Sequence, residues 1–276
     1  MREPASPGWR THLMFARFDG EVRDAGDHWV IRSPSSPGFY WGNFVLFDRA
    51  PGAGDFEGWM RTFDDAIVRH APGTGHRAFG IAEPADACTA PPEFIEAGFE
   101  CYPQATLTLQ RAALQPLPAP PDPSFELRPL DLAREREAVV ELSAAGNDGY
   151  EAAGYRRFRD HQMLRYAAMQ AAGLGHWWGA WYQGWLVAGL GLFGRDGIGR
   201  FQYVETHPAF RRRGLCRALV HAACRHGFEQ RGWHTLVMGA DPHDVAIGIY
   251  RQVGFGVHDT LWLLERRAPE DRAAGA

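Results

Sequence analysis

Three consecutive arginines and a glycine, Arg211-Arg212-Arg213-Gly214, stand between a strand-like run and a helix-like run. Upstream, Phe201, Tyr203, Val204 and Thr206 carry strand-type side chains, and Pro208 stops further pairing. Downstream, Leu215, Leu219 and Ala222 recur at helical spacing. The first turn of a helix has N–H groups without partners and a partial positive charge. Arginines and a glycine placed there form a site for a polyphosphate.

The elements that must hold this loop are readable along the chain. In the second half, FELRPL from Phe125 reads as a strand and REREAVVELSAA as a helix. EAAGYRRFRDHQMLRYAAMQAAG reads as a second, longer helical region. HWWGAWYQGWLVAGLGLFGRDGIGRFQYVETHP reads as a meander with turns at Gln183-Gly184 and Asp196-Gly197. After the basic loop and its helix come strand TLVMGAD, helix DVAIGIYRQVGF ending at a glycine, and strand GVHDTLWLLER. In the first half, HLMFARF and HWVIRS read as strand-like runs, and GFYWGNFVLF as a rich strand signal. PGAGDFEGWMRTFDDAIVRH reads as a turn and an amphipathic helix, and HRAFGIAEP as a short strand. PPEFIEAGFECYPQATLTLQR reads as a short helix, a Gly-Phe turn and a final strand. Five prolines within residues 112–124 mark a stiff linker.

A chain of 276 residues with 45% hydrophobic content supports one large or two ordinary domains with real cores. A net charge of −4 gives no electrostatic reason to bind nucleic acid or a membrane surface. Cys88, Cys101, Cys216 and Cys224 form no CxxC pair and read as free thiols of a reducing compartment. The start of the chain has no apolar signal core and no run is long enough to span a bilayer, so the expected location is cytoplasmic. His221, Cys224 and His226 lack a fourth ligand nearby and read as a helix surface, with no metal expected. The stretch from Gly189 to Gly194 spells GxGxxG, but it lies within a strand and runs into an Asp-Gly turn. It is therefore not a dinucleotide fingerprint.

The strand, basic loop and helix together resemble the GNAT superfamily of acyl-CoA-dependent N-acyltransferases. The family's pyrophosphate loop is written Q/R-x-x-G-x-G/A, and here it reads Arg211-Arg212-Arg213-Gly214-Leu215-Cys216. Cys216 stands where Gly or Ala is usual. The resemblance implies acetyl-CoA as co-substrate, bound in extended form with its pyrophosphate on Arg211 to Arg217. It also implies that the strand before the loop splays from its neighbour, and that the backbone at Val204, Glu205 and Thr206 binds the pantetheine. Tyr250 occupies the family's general-acid position, and a phenol is protonated near neutral pH. His243, seven residues earlier, stands where asparagine is usual. It reads as a contact for the pantetheine arm or the substrate, or as a simple loop residue.

For the general base, Glu205 is the first choice, acting directly or through water. Its structural alternative, a partner for a nearby arginine, has equal weight. His207 titrates in the right range, and a water relay without a dedicated side chain is a third option. In the family, acceptor specificity comes from the helical region after the first strand, here including Asn147, Asp148, Tyr150, Tyr155 and Arg156. Each of these also reads as part of a solvated helix face. Trp177, Trp178, Trp181 and Trp185 read as fillers of the sheet's faces. The implied reaction is direct attack by a primary amine of a small molecule, peptide or protein. A non-catalytic acyl-CoA-binding or sensing protein on the same fold is the alternative, and an enzyme with a longer acyl donor is a second. A homodimer is among the assemblies open to such a chain.

The two halves repeat at nearly constant offset. FVLFDRAP at Phe44 aligns with FQYVETHP at Phe201, and FIEAGFE at Phe94 with YRQVGFG at Tyr250. The basic loop falls opposite Gly54-Asp55-Phe56-Glu57, where carboxylates would repel a pyrophosphate. The expected fold class is α/β (α+β), with two GNAT-like domains in tandem, each a mixed, mostly antiparallel twisted sheet flanked by helices. The expected domains are a degenerate copy at 1–111, a linker at 112–124, an acetyltransferase domain at 125–267 and a tail at 268–276.

Overall fold

The computed structural model describes residues 2–83, 87, 89–147 and 151–268; Cys88, Asp148 and Tyr150 lie outside them. The first elements are α1 (Pro7–Asp19), β1 (Glu21–Asp24), β2 (His28–Arg32), β3 (Phe44–Phe47), α2 (Phe56–Phe63), β4 (Arg77–Ile81), α3 (Pro92–Glu96) and β5 (Glu100–Gln110). There follow β6 (Glu126–Pro129), α4 (Leu132–Ala145), α5 (Ala152–Ala171), β7 (Gly175–Tyr182), β8 (Trp185–Arg195) and β9 (Ile198–Thr206). The chain ends with α6 (Leu215–Glu229), β10 (Thr235–Ala240), α7 (Ala246–Val253) and β11 (Gly256–Arg266). Two compact units result: Met1–Thr106 with His258–Ala276, and Leu107–Val257. The sequence reading assigned residues 125–267 to one domain. The units divide differently at that end because β11 pairs antiparallel with β4, Trp262 opposite Ile81 through Arg266 opposite Arg77.

In the first unit, β1, β2 and β3 form an antiparallel meander, and β3 then runs parallel to β4. The run HLMFARF is helix, not strand. Ser6 caps α1 by accepting from the Gly8 N–H at 3.0 Å, and Pro7 opens the first turn. Trp9, Leu13 and Ala16 then share a buried stripe at spacings of four and three, and Trp9 Nε1 donates to the Ile81 carbonyl at 2.7 Å. That stripe outweighs the strand propensity of Phe15 and Phe18. In GFYWGNFVLF only Phe44–Phe47 is strand, because Tyr40–Gly42 turn as a short 3-10 helix. On the other face, α2 seats Trp59 on Phe47, with rings stacked 3.9 Å apart, and Phe63, Phe79, Phe94 and Phe99 close the cluster. Aromatic pairs of this kind contribute about 0.5–1.5 kcal/mol beyond the area they bury.

The second unit repeats the scheme. β7, β8 and β9 form an antiparallel meander, β6 flanks β7, and β9 runs parallel to β10. Both hairpin turns have two left-handed residues, Gln183 and Gly184 at φ 49° and 83°, and Asp196 and Gly197 at 52° and 81°. This twist matches that of the strands they join. Trp177 and Trp178 are buried in the sheet, whereas Trp185, at the first hairpin, is 76% exposed and fills no face.

Gly254 ends α7 at φ +114°, and a Cβ there would lie 2.1 Å from the Ala113 carbonyl oxygen. Gly254→Ala is therefore expected to cost at least about 1–3 kcal/mol through the strained conformation alone. Urea unfolding checks this: the midpoint falls with unchanged slope, and an unaltered midpoint would show that the turn relaxes freely.

Candidate active site

The site grows out of β9. Its ladder with β10 runs from Ile198 opposite Thr235 to Arg200 opposite Val237 and stops there. Toward their ends the two strands part, and a cleft of about 220 Å³ opens between Phe201, Tyr203 and Val204 on one side and Met238 to Asp241 on the other. Asp244, Ala246 and Tyr250 complete its lining. The parting has a local cause. Between β8 and β9 the register shifts, so that Gln202 faces Gly191 and Glu205 faces Gly189. Two residues, Tyr203 and Val204, then share the place opposite Leu190, a β-bulge that turns the strand. Tyr203 takes φ +46°, a costly conformation for an aromatic residue and one found where structure serves a site.

Beyond β9, His207 caps a short turn: its Nδ1 accepts from the Ala209 N–H at 3.2 Å, which ties it to the loop. Arg211, Arg212, Arg213 and Gly214 are all exposed. Arg211 Nε donates to the Thr206 carbonyl at 3.4 Å, and the Arg213 guanidinium lies 5.0 Å from the Phe210 ring centre. Gly214 is left-handed at φ +76°, nothing lies within 4 Å of where its Cβ would be, and no side chain caps α6. The first turn of α6 thus presents backbone N–H groups among arginines with no internal acceptor supplied by the cap. Leu215 is buried, and Arg217 Nη1 donates to Gln252 Oε1 at 3.0 Å, fixing α6 against α7.

Tyr250 is 5% exposed at the cleft. Burial, reinforced by Cys216 and Asp244 nearby, pushes its phenol well above its ordinary pKa, so it holds its proton at neutral pH. Burial likewise pushes the Cys216 thiol up to about 11, which makes it a neutral small side chain and not a thiolate. His243 is exposed in the β10–α7 turn, its N–H donating to Asp241 Oδ1 at 2.8 Å.

Glu205 leaves the strand on the helix side. Its Oε2 accepts from Ser143 Oγ at 2.7 Å and its Oε1 from Arg159 Nη2 at 3.3 Å, yet 23% of the side chain stays exposed. Burial raises its pKa, and Arg159 and Ser143 pull it partly back. Glu205 thus has the arginine partner of its structural alternative, and it is not among the residues that line the cleft. Arg156 pairs with Glu141 on α4, and Asn147 is half-buried. The sequence reading missed Ser143, Arg159, Gln162, Asp241 and Asp244. For Arg159 a signal existed: with Gln162, Met163, Tyr166 and Met169 it lies on the buried stripe of α5.

The corresponding place in the first unit is filled from within. Asp55, before α2, accepts from the Gly52 N–H at 2.6 Å and from both Arg49 terminal nitrogens at 2.6 and 3.0 Å, and Glu93 Oε1 accepts from the Gly54 N–H at 2.9 Å. The Arg49 guanidinium, then the Gly52 N–H, hold Asp55 down to about 2. Phe94, opposite Tyr250 in the repeat, is fully buried.

The framework of the site is a parallel strand pair whose ladder ends at a bulge, followed by an uncapped helix start next to three arginines. Residues 138–255 match the model of the acetyltransferase (GNAT) family, so this segment is a GNAT domain. Over nearly its whole length the chain shares its fold with a functionally unknown conserved protein from Staphylococcus epidermidis, with a TM-score of 0.74, 12% identity, and 91% of this chain and 95% of that chain covered. A GCN5-related N-acetyltransferase from Kribbella flavida is similar at TM-score 0.65 and 18% identity, covering 93% of this chain and 92% of its own. A tandem GNAT protein from the clavulanic acid biosynthesis pathway matches at TM-score 0.56 and 13% identity over 96% of this chain and 89% of its own. At such identities the likeness is one of fold, and a tandem GNAT protein is among those that share it. No curated protein matches the chain in sequence.

Among the described residues no group of three or more His, Cys, Asp or Glu side chains is arranged to hold a metal ion, and no helix is long and apolar enough to cross a membrane.

Proposed function

We propose that the second unit is an N-acetyltransferase that moves an acetyl group from acetyl-CoA to a primary amine by direct attack, and that the first unit binds no acyl-CoA. The observation that carries this reading is the cleft between the parted ends of β9 and β10, which has Tyr250 in its wall and the open start of α6 after the same strand. Acetyl-CoA would supply the thioester, an acyl group already activated for transfer. Arg211, Arg212, Arg213 and Arg217 with the N–H groups of Leu215 and Cys216 would hold its pyrophosphate, Gly214 leaving room for close approach. The backbone of Val204, Glu205 and Thr206 would carry the pantetheine arm, and His243, exposed in the turn before α7, would contact it or the substrate. Tyr250 gives its proton to the departing sulfur, while Glu205 accepts the proton of the amine, directly or through water. The free thiols fit a reducing cytoplasm.

Thiol release from acetyl-CoA across a panel of small-molecule and peptide amines tests the reaction. Burial raises the Glu205 pKa above its ordinary value, and the base must be ionised, so kcat/KM falls as pH drops through that raised pKa. Glu205→Gln is expected to remove that acid limb and to lower turnover about 100-fold. An intact limb in this variant would assign the base elsewhere.

A further inference from the structure

We propose that Arg159 is the positioning residue of the acyl-transfer site: from α5 it grips Tyr203 and Glu205, the two residues flanking Val204, and so fixes the bulge that turns the Val204 backbone to the cleft. The kinetic part of this inference rests on the acetyl-transfer reading, and the structural part rests on geometry alone.

Arg159 has no exposed surface, a rare setting for a guanidinium. Its Nη2 donates to Ser143 Oγ at 2.9 Å and to Glu205 Oε1 at 3.3 Å, and its Nη1 donates to Gln162 Oε1 at 2.9 Å. Its Cζ lies over the Tyr203 ring, 3.8 Å from the ring centre, a cation–π contact. The Nε atom has no hydrogen-bond partner. The group is therefore aimed at β9 and is not fully satisfied in itself. A buried ion pair seldom stabilises a fold more than apolar side chains of the same size, so stability is a weak reason for its presence. The strained Tyr203, at φ +46°, does require a hold from outside its own strand. Ser143 from α4 and Gln162 from α5 keep the fork oriented, both of them buried.

Among the described residues, the charged and titratable groups facing Glu205 are Arg159 from α5 and Tyr203 from β9 itself. From α4 comes only the Ser143 hydroxyl, and β8 places Gly189 opposite. Loss of Arg159 therefore removes the cation that, among the described residues, favours the ionised form of Glu205.

The test uses the full chain with glutamate carboxyl carbons labelled with carbon-13. NMR then follows the titration of Glu205, assigned by the signal missing in Glu205→Gln. In Arg159→Met the Glu205 midpoint is expected to rise by about one pH unit or more, the order by which a neighbouring cation depresses a carboxylate. If that variant does not fold, Arg159→Gln, neutral but able to hydrogen-bond, takes its place with the same expectation. Arg159→Lys keeps the charge but replaces the planar fork, whose one terminal nitrogen reaches Gln162 and the other Ser143 and Glu205, with a single ammonium. Its Glu205 midpoint stays near that of the parent while kcat with the best amine of the panel falls about tenfold or more. An unmoved midpoint in the neutral variants, or parental kcat in Arg159→Lys, overturns the proposal. Absence of transfer by the parent chain on every amine would instead overturn the acetyl-transfer reading, and the Glu205 titration would still decide whether Arg159 holds the strand.

Discussion

Tyr250→Phe is expected to lower kcat for acetyl transfer about 100-fold at neutral pH while leaving acetyl-CoA affinity nearly unchanged. The phenol is buried at the cleft, and burial together with Cys216 and Asp244 keeps it protonated across the working range. A protonated donor beside the departing sulfur spares the site a free thiolate in a low-dielectric wall, which is where general acids contribute most. The substitution removes one oxygen and keeps the ring, whose edge packs on Phe255 with centres 6.4 Å apart. The chain contains its own control for packing. Phe94, at the matching place of the repeat, is fully buried and closes its own aromatic cluster without a hydroxyl. A stable, folded Tyr250→Phe chain with full turnover at every pH would remove the tyrosine from the chemistry.

The double substitution Arg211→Ala with Arg213→Ala is expected to weaken acetyl-CoA binding at least about 100-fold, since each hydrogen bond to a charged group contributes about 1.5–3 kcal/mol and tenfold in affinity is about 1.4 kcal/mol. Both side chains are exposed, one touching the Thr206 carbonyl and the other lying over Phe210. Their removal should leave the unfolding midpoint within the range of ordinary surface changes. The parent's affinity should also fall with added salt, and the variant's should fall less, because fewer charges remain to be screened. Equal affinities at low salt would place the pyrophosphate somewhere other than the start of α6.

Much of this arrangement was legible in the sequence, for identifiable physical reasons. The meander, the two left-handed hairpin turns, the basic loop and the helix after it are all local features, set by side-chain period and by residues that tolerate positive φ. The repeat was legible too, since β3 beside β4 and β9 beside β10 are the parallel pair of each copy. What escaped was non-local or masked by propensity. The Ser6-Pro7 start of α1 was hidden by the strand-like look of HLMFARF, and burial of Trp9 against Gly80 decided the outcome. The placing of β11 beside β4 depends on a partner some 180 residues away in sequence, which no local pattern encodes. Arg159 escaped because Arg156, Arg157 and Arg165 surround it on the same helix, and only its stripe neighbours mark it as the inward one. Repulsion of a pyrophosphate by the carboxylates of Gly54-Asp55-Phe56-Glu57 is legible in the sequence, whereas the pairing of Asp55 with Arg49 is not. The contribution of Glu93, supplied by α3, came only with the fold.

The central claim is that one unit keeps an acyl-CoA site and the other has filled its own with carboxylates. Calorimetric titration of acetyl-CoA into the purified full chain tests it directly through stoichiometry. The expected result is one site per chain, abolished or strongly weakened by Arg211→Ala with Arg213→Ala and untouched by Asp55→Asn. Two sites per chain, or a single site that responds to Asp55 and not to the arginines, would contradict the account.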